Sequence, residues 1–198
     1  MVHEHKNHEP VWDEAAAEWY ASEYGDHISN KMTINAISLK ADDTLLDIGC
    51  GTGTACRIAS RILTEGTVIG IDPTPAMIRI AKEQTDASYA NISFLEESSE
   101  DQLFADESFS VVTAINSLHH WTDPKKGLKE IRRVLKLNGR CFISDEVVEG
   151  GGCGHGDGPL SNPDAVQEFL EDNGFSDVAM DIIKKDGEGI YLFKAIKK

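Results

Sequence analysis

The sequence predicts an α/β fold, a largely parallel sheet covered on both faces by helices. Three observations predict it. From about residue 43, short β-rich runs alternate with longer helical segments. Three of those segments open on the same cap-then-proline pattern. The last two strand-like runs are joined only by "KKDGEG" (184–189), a hairpin signal that makes one edge strand antiparallel.

In chain order, Trp12, Ala15, Ala16, Trp19 and Tyr20 are spaced as one face of a helix, and a second helical stretch covers roughly residues 28 to 39. Candidate strands are "TLLDIG" (44–49), "TVIGID" (67–72), "ISFLE" (92–96), "FSVVTAI" (109–115), "RCFISDE" (140–146), "SDVAMDI" (176–182) and "IYLFKAI" (190–196). Between them, Thr74, Asp123 and Asn162 cap helices whose first residues are Pro75, Pro124 and Pro163. Proline suits that position because the first helical amides lack an intrahelical acceptor. Asn-Gly pairs at 138–139 and 173–174 read as helix stops. The glycine-rich "EGGGCGHGDGP" (149–159) reads as a flexible loop.

Composition narrows the function. The chain has 198 residues, enough for one well-buried domain and too few for two ordinary ones. No apolar run approaches the roughly 18 residues a membrane helix needs. The first ten residues are polar, so a cytoplasmic location is expected. A net charge of -15 argues against nucleic acid as partner. The basic stretch "KKGLKEIRRVLK" (125–136) reads as the solvated side of an amphipathic helix. Cys50, Cys56, Cys141 and Cys153 form no CxxC pair and are expected as reduced thiols.

The stretch "LLDIGCGTGT" (45–54) carries the chemistry. A dinucleotide fingerprint needs a third small residue where Thr54 stands, and a phosphate loop needs a lysine after Gly53. Neither is present. An aspartate at the mouth of the turn, Asp47, suits a ligand with positive charge better than a pyrophosphate. Asp72, ending the second strand, is placed to accept hydrogen bonds from two ribose hydroxyls, so the ligand is an adenosine of some kind.

Four segments resemble the class I S-adenosylmethionine-dependent methyltransferases of methyltransferase type 11, the group containing the ubiquinone and menaquinone biosynthesis enzymes. "LLDIGCGTGT" is similar to that family's first motif, and "VIGIDPTPAMIRIAK" to its second. "DQLFADESFSVVTAINSLHHW" and "EIRRVLKLNGRCFISD" resemble its later segments, in the same order and at the same spacing. The resemblance covers about residues 40 to 146. It implies a Rossmann-like, doubly wound, mostly parallel seven-stranded sheet of order 3-2-1-4-5-7-6, its seventh strand antiparallel. It also implies amino-terminal helices, residues 1–40, closing as a lid over a domain of residues 41–198. The implied cofactor is S-adenosylmethionine, held by Asp47, Gly49, Cys50, Gly51, Gly53, Asp72, Pro73, Met77, Ser98, Ser99 and Asn116. One departure stands out: Glu97-Ser98-Ser99 replaces the family's G-D-A, leaving Ser98 as a neutral acceptor for the adenine amino group.

The implied reaction is in-line displacement at a sulfonium methyl by a small-molecule acceptor, with no membrane span and no metal. His119 and His120, at the carboxyl end of the fourth strand, are the candidate catalytic bases; packing beside Trp121 is the alternative. Asp145 either faces the acceptor or is an ordinary loop carboxylate. The cluster of Cys153, His155 and Asp157 matches no common zinc spacing, and His3, His5 and His8 read as a frayed tail. Only the glycine-rich loop follows the fifth strand, which suggests an open site or one completed by a homodimer or protein partner. Two other classes stay in view. One is a non-catalytic protein that binds S-adenosylmethionine or S-adenosylhomocysteine and acts through a partner; the other is a dehydrogenase.

Overall fold

A computed structural model of the chain describes residues 11–147 and 159–198. Two helices, α1 (Glu14–Tyr24) and α2 (Ile28–Ala36), precede a seven-stranded sheet. Its strands are β1 (Thr44–Ile48), β2 (Thr67–Asp72), β3 (Ile92–Glu96), β4 (Phe109–Ile115), β5 (Leu135–Glu146), β6 (Phe175–Lys185) and β7 (Glu188–Lys197). They lie in the order β3-β2-β1-β4-β5-β7-β6, with β7 antiparallel to both of its neighbours. Helices α3 (Thr54–Ser60), α4 (Pro75–Glu83), α5 (Pro124–Val134) and α6 (Pro163–Asp172) complete the fold.

The central strands read as continuous apolar runs because both of their faces are covered. Alternate residues serve different layers. Leu46, Ile48, Val112 and Ala114 pack with Leu128 and Ile131 of α5 and Val166 and Leu170 of α6. Leu45, Val111 and Ile115 pack instead with Ile34 of α2, Ala55 and Ala59 of α3, and Ile78 of α4. The basic stretch on α5 is solvated as expected, with Leu128, Ile131 and Val134 inward and Lys125, Lys126 and Lys129 exposed.

All three prolines open their helices, but only two of the expected caps bond through their side chains: Thr74 precedes Pro75 without capping, its hydroxyl instead accepting from the Trp12 amide. Asp123 Oδ1 accepts from the Lys126 amide at 3.0 Å, and Asn162 Oδ1 from the Asp164 amide at 2.9 Å. The closing hairpin turns at Asp186 and Gly187 with φ of 53° and 91°, the paired left-handed geometry that matches strand twist.

Two local expectations are corrected. Asn138-Gly139 is not a helix stop, because α5 ends at Val134 and β5 already begins at Leu135, opposite Phe109. Asn138, at φ 62°, instead lies where the strand shifts register before Arg140 pairs with Val111. The inward face of α1 is also different. Ala17 is fully buried beside Trp12 and Tyr20, whereas Trp19 is 43% exposed. The residue three before Tyr20, not the one beside it, shares its helical face.

Candidate active site

The glycine turn is shaped by its contacts with β2. The amides of Gly49 and Cys50 both donate to the Ile71 carbonyl, at 2.8 and 2.9 Å. All three motif glycines take left-handed φ, 70°, 51° and 78°. Two are also fixed by packing. A Cβ on Gly49 would lie 2.5 Å from Ser117 Cβ, and one on Gly53 would lie 2.5 Å from Phe94 Cζ. A Cβ on Gly51 would meet nothing within 4 Å. Its bareness keeps space open above the turn.

Asp72 ties the turn to the next helix. Its Oδ2 accepts from the Gly51 amide at 3.0 Å and its Oδ1 from the Thr74 amide at 2.9 Å. The Thr74 hydroxyl also supports this carboxylate, which still has accepting capacity left for a ligand hydroxyl. Burial raises this carboxyl above its ordinary value, against the pull of those two amides. Asp47 lies beneath the turn, 2% exposed, accepting from Thr113 Oγ1 at 2.7 Å and from the Cys56 thiol at 3.4 Å. Burial, opposed by those two bonds and aided by the charge on Asp72, pushes it up to about 6.

A cavity of about 530 Å³ opens above the carboxyl ends of these strands. Of the residues expected to hold a cofactor, Gly49, Gly51 and Asp72 form its floor, and Pro73, Met77, Ser98 and Ser99 flank one end. Asn116 also lines it, at φ 50°, with Nδ2 donating to Ser29 Oγ and Glu146 Oε1, both at 2.9 Å. Its Oδ1 is buried with no hydrogen-bond partner among the described residues. Asp47, Cys50 and Gly53 are not in the cavity wall. Cys50 is 8% exposed, its thiol packed toward Gly70, and it shapes the turn from below.

The two histidines part company. His120 lines the cavity, its ring edge-on to Trp12 with centroids 5.7 Å apart. His119 sits behind it, ring centroids 4.1 Å apart, with Nδ1 2.9 Å from Asp145 Oδ2. Asp145, 4% exposed, therefore holds His119 and is not an open loop carboxylate.

Other wall residues carried no motif. Trp12 and Tyr20 come from the first helix and its lead-in, and the Trp12 amide donates to Thr74 Oγ1 at 3.2 Å. The Gly25 carbonyl accepts from Thr52 Oγ1 at 2.9 Å and Thr54 Oγ1 at 2.7 Å. The aromatic spacing signalled a helix without saying that it crosses the glycine turn. The segment holding Cys153, His155 and Asp157, and the one holding His3, His5 and His8, lie outside the described residues. Among the described residues no group of three or more His, Cys, Asp or Glu is arranged to hold a metal, and no helix is long and apolar enough to cross a membrane. Cys50, Cys56 and Cys141 are free and buried.

The fold and this cavity define a class of protein: a doubly wound sheet with a carboxylate, Asp72, at the end of β2 and open space over a glycine turn at Gly51. Comparison with known proteins agrees. The methyltransferase domain family matches residues 46–143. The 2-phytyl-1,4-naphthoquinone methyltransferase of Trichormus variabilis is 36% identical over 140 residues, 69% of this chain and 60% of that protein. The demethylmenaquinone methyltransferase of Chlorobaculum tepidum is 36% identical over 121 residues, 61% of this chain and 48% of that one. The chain thus spans about 60% or less of the length of these two relatives. A crystal structure of an S-adenosylmethionine-dependent methyltransferase from Aquifex aeolicus superposes with a TM-score of 0.75 at 21% identity, covering 94% of this chain and all of that one. The chain belongs to the class I S-adenosylmethionine-dependent methyltransferases. The open space over Gly51 and the spare lone pairs of Asp72 fit the cofactor of that family.

Proposed function

We propose that this protein transfers the methyl group of S-adenosylmethionine to a small acceptor, a hydroxylated aromatic ring of the reduced-quinone type. The observation that carries the reading is the cavity itself. One side offers Asp72 and Gly51, and the other offers aromatic walls with one imidazole, His120. The name of one relative, a 2-phytyl-1,4-naphthoquinone methyltransferase, suggests the ring. The same reading makes α1 and α2 a lid that completes the site when closed.

When bound, the cofactor supplies a methyl group already activated by its sulfonium charge. The protein's task is then alignment and exclusion of water. Asp72 would hold the ribose, and Pro73, Met77, Ser98 and Ser99 are the residues that would take the adenine. Asn116 Oδ1, without a partner among the described residues, would accept from the amino group of the methionine part. Trp12 and Trp121 give flat apolar walls against which a ring can stack. A dihydroxy ring becomes nucleophilic at carbon as its hydroxyl proton leaves, and His120 is the group on the cavity wall that can take that proton near neutral pH. His119, held by Asp145, sets the position of the His120 ring.

The test is to incubate the protein with S-adenosylmethionine and dithionite-reduced 2-phytyl-1,4-naphthoquinone and follow products by mass spectrometry. A methylated quinone, together with S-adenosylhomocysteine in equal amount, is the expected result. Binding of the cofactor without methylation of this ring, or of a panel of phenols and amines, would favour a binding protein that acts through a partner.

A further inference from the structure

A polar network behind the cavity wall joins the amino-terminal helices to the end of β5. His27 caps α2, and its Nδ1 lies 3.0 Å from Ser29 Oγ and 3.1 Å from Glu146 Oε1. Asn116 Nδ2 donates to those same two oxygens, at 2.9 Å each. The four side chains thus close a ring of contacts. A second tie runs beside it. The Thr33 and Ser144 hydroxyls share a buried hydrogen bond of 2.7 Å, and the Ser144 carbonyl accepts from the Asn116 amide at 2.8 Å. Asn116 lines the cavity, whereas His27, Ser29 and Glu146 stand behind it.

The ring decides which way the Asn116 carboxamide faces. A carboxylate only accepts, so the group turned toward Glu146 is the amide nitrogen. Glu146 and Ser29 take both of its hydrogens. The opposite flip would set amide oxygen against carboxylate oxygen. Asn116 Oδ1 is left buried, with no hydrogen-bond partner among the described residues. A buried acceptor in that condition calls for a donor, and the cavity is where one can enter.

We infer that Glu146, Ser29 and His27 are positioning residues: they lock the Asn116 carboxamide with its oxygen toward the ligand, so the site selects a ligand with a donor there, the ammonium of an α-amino acid. The three act through Asn116 and not by touching the ligand. His27 and Ser29 belong to the start of α2, so the selection exists only while that helix is seated against β5. Seating of α2 and recognition of the amino-acid end are then one event. The inference rests on the cofactor assignment and needs no knowledge of the acceptor.

The experiment is calorimetric titration of the full chain with three ligands. They are S-adenosylhomocysteine, its deamino analogue with hydrogen in place of the amino group, and 5′-methylthioadenosine, which lacks the amino-acid part. The wild-type chain should bind S-adenosylhomocysteine about thirtyfold more tightly than the deamino analogue, the scale of a hydrogen bond to a charged group. Glu146→Ala should weaken S-adenosylhomocysteine by about tenfold and leave the other two within about twofold. Glu146→Gln keeps an acceptor without the charge and should stay within about threefold of wild type for all three. Ser29→Ala and His27→Ala should repeat the Glu146→Ala pattern at about threefold, and Ser29→Ala carries the test if Glu146→Ala does not fold. In an Asn116→Ala background, Glu146→Ala should have no further effect. An equal loss for all three ligands would make the ring a mere prop for α2 and overturn the inference. So would unchanged affinities, a Glu146→Gln as damaging as Glu146→Ala, or losses that add to that of Asn116→Ala. The last two would mean that Glu146 acts by its charge and not through the carboxamide. A wild-type chain that binds the deamino analogue as tightly as S-adenosylhomocysteine would overturn the inference and leave the cofactor in place. A chain that binds none of the three would overturn it together with the cofactor assignment.

Discussion

The floor and the roof of the cavity are built in different ways. The floor and the turn that supports it, residues 47 to 54 with Asp72, are made of backbone: three left-handed glycines, two amides on one carbonyl, and a carboxylate caught between two further amides. The roof, α1 with the turn around His120, is made of side chains meeting across the chain, and Trp19 and Tyr24 remain 43% and 45% exposed. A ligand read by backbone needs glycine at fixed places, which constrains the sequence. A ligand read by side chains can be met by many combinations, and these leave no common pattern.

The comparison breaks most visibly at Asp72. Asp72→Ala removes the proposed ribose acceptor and the partner of two amides, and should weaken S-adenosylhomocysteine binding by more than about a hundredfold in calorimetry. Next come the glycines, which separate packing from function. Gly53→Ala forces a Cβ against Phe94 at φ 78° and should cost about 3 kcal/mol of unfolding free energy in denaturant titration. Gly51→Ala meets no neighbour and should cost about 1 kcal/mol, while still impairing cofactor binding because the new methyl group occupies ligand space.

Asp47 sharpens the contrast through pH. Its folded-state carboxyl is raised to about 6, above its unfolded value, so the stability it contributes is full at low pH and lost as pH rises through that value. Asp47→Asn keeps an acceptor for Thr113 and carries no charge. It should match the wild type near pH 4 and exceed it by about 2 kcal/mol at pH 7, measured by urea unfolding across that range. A gap independent of pH would refute the burial argument. The smallest effect belongs to the roof's outer face. Trp19→Ser should change stability by less than about 1 kcal/mol, since that ring is 43% exposed and stands edge-on to Tyr24, itself 45% exposed.

The same division explains what was legible in the sequence. The sheet could be read because cap-and-proline pairs at 74–75, 123–124 and 162–163 punctuate apolar runs, and because one hairpin had no room for a helix. Asn138-Gly139 misled, since a left-handed Asn-Gly pair serves a strand irregularity as well as a helix end. In the site, Gly49, Gly51, Asp72, Pro73, Met77, Ser98, Ser99, Asn116 and His120 lie together around one cavity. The sequence could not separate His120 from His119, because adjacent residues differ only in which way the short helical turn faces them. Tyr20 at the pocket was implied only by the resemblance, through its amino-terminal lid, and not by residue spacing, since that placement depends on Thr52, Thr54 and Thr74 catching the amino-terminal segment across more than twenty residues of chain.

The most direct measurement is a crystal structure of the protein grown with S-adenosylhomocysteine. The account predicts both ribose hydroxyls on the Asp72 carboxylate and the methionine part over Gly51 beside Asn116. Adenosine density elsewhere on the sheet, or a cavity left without ligand at a concentration that saturates binding in solution, would contradict it.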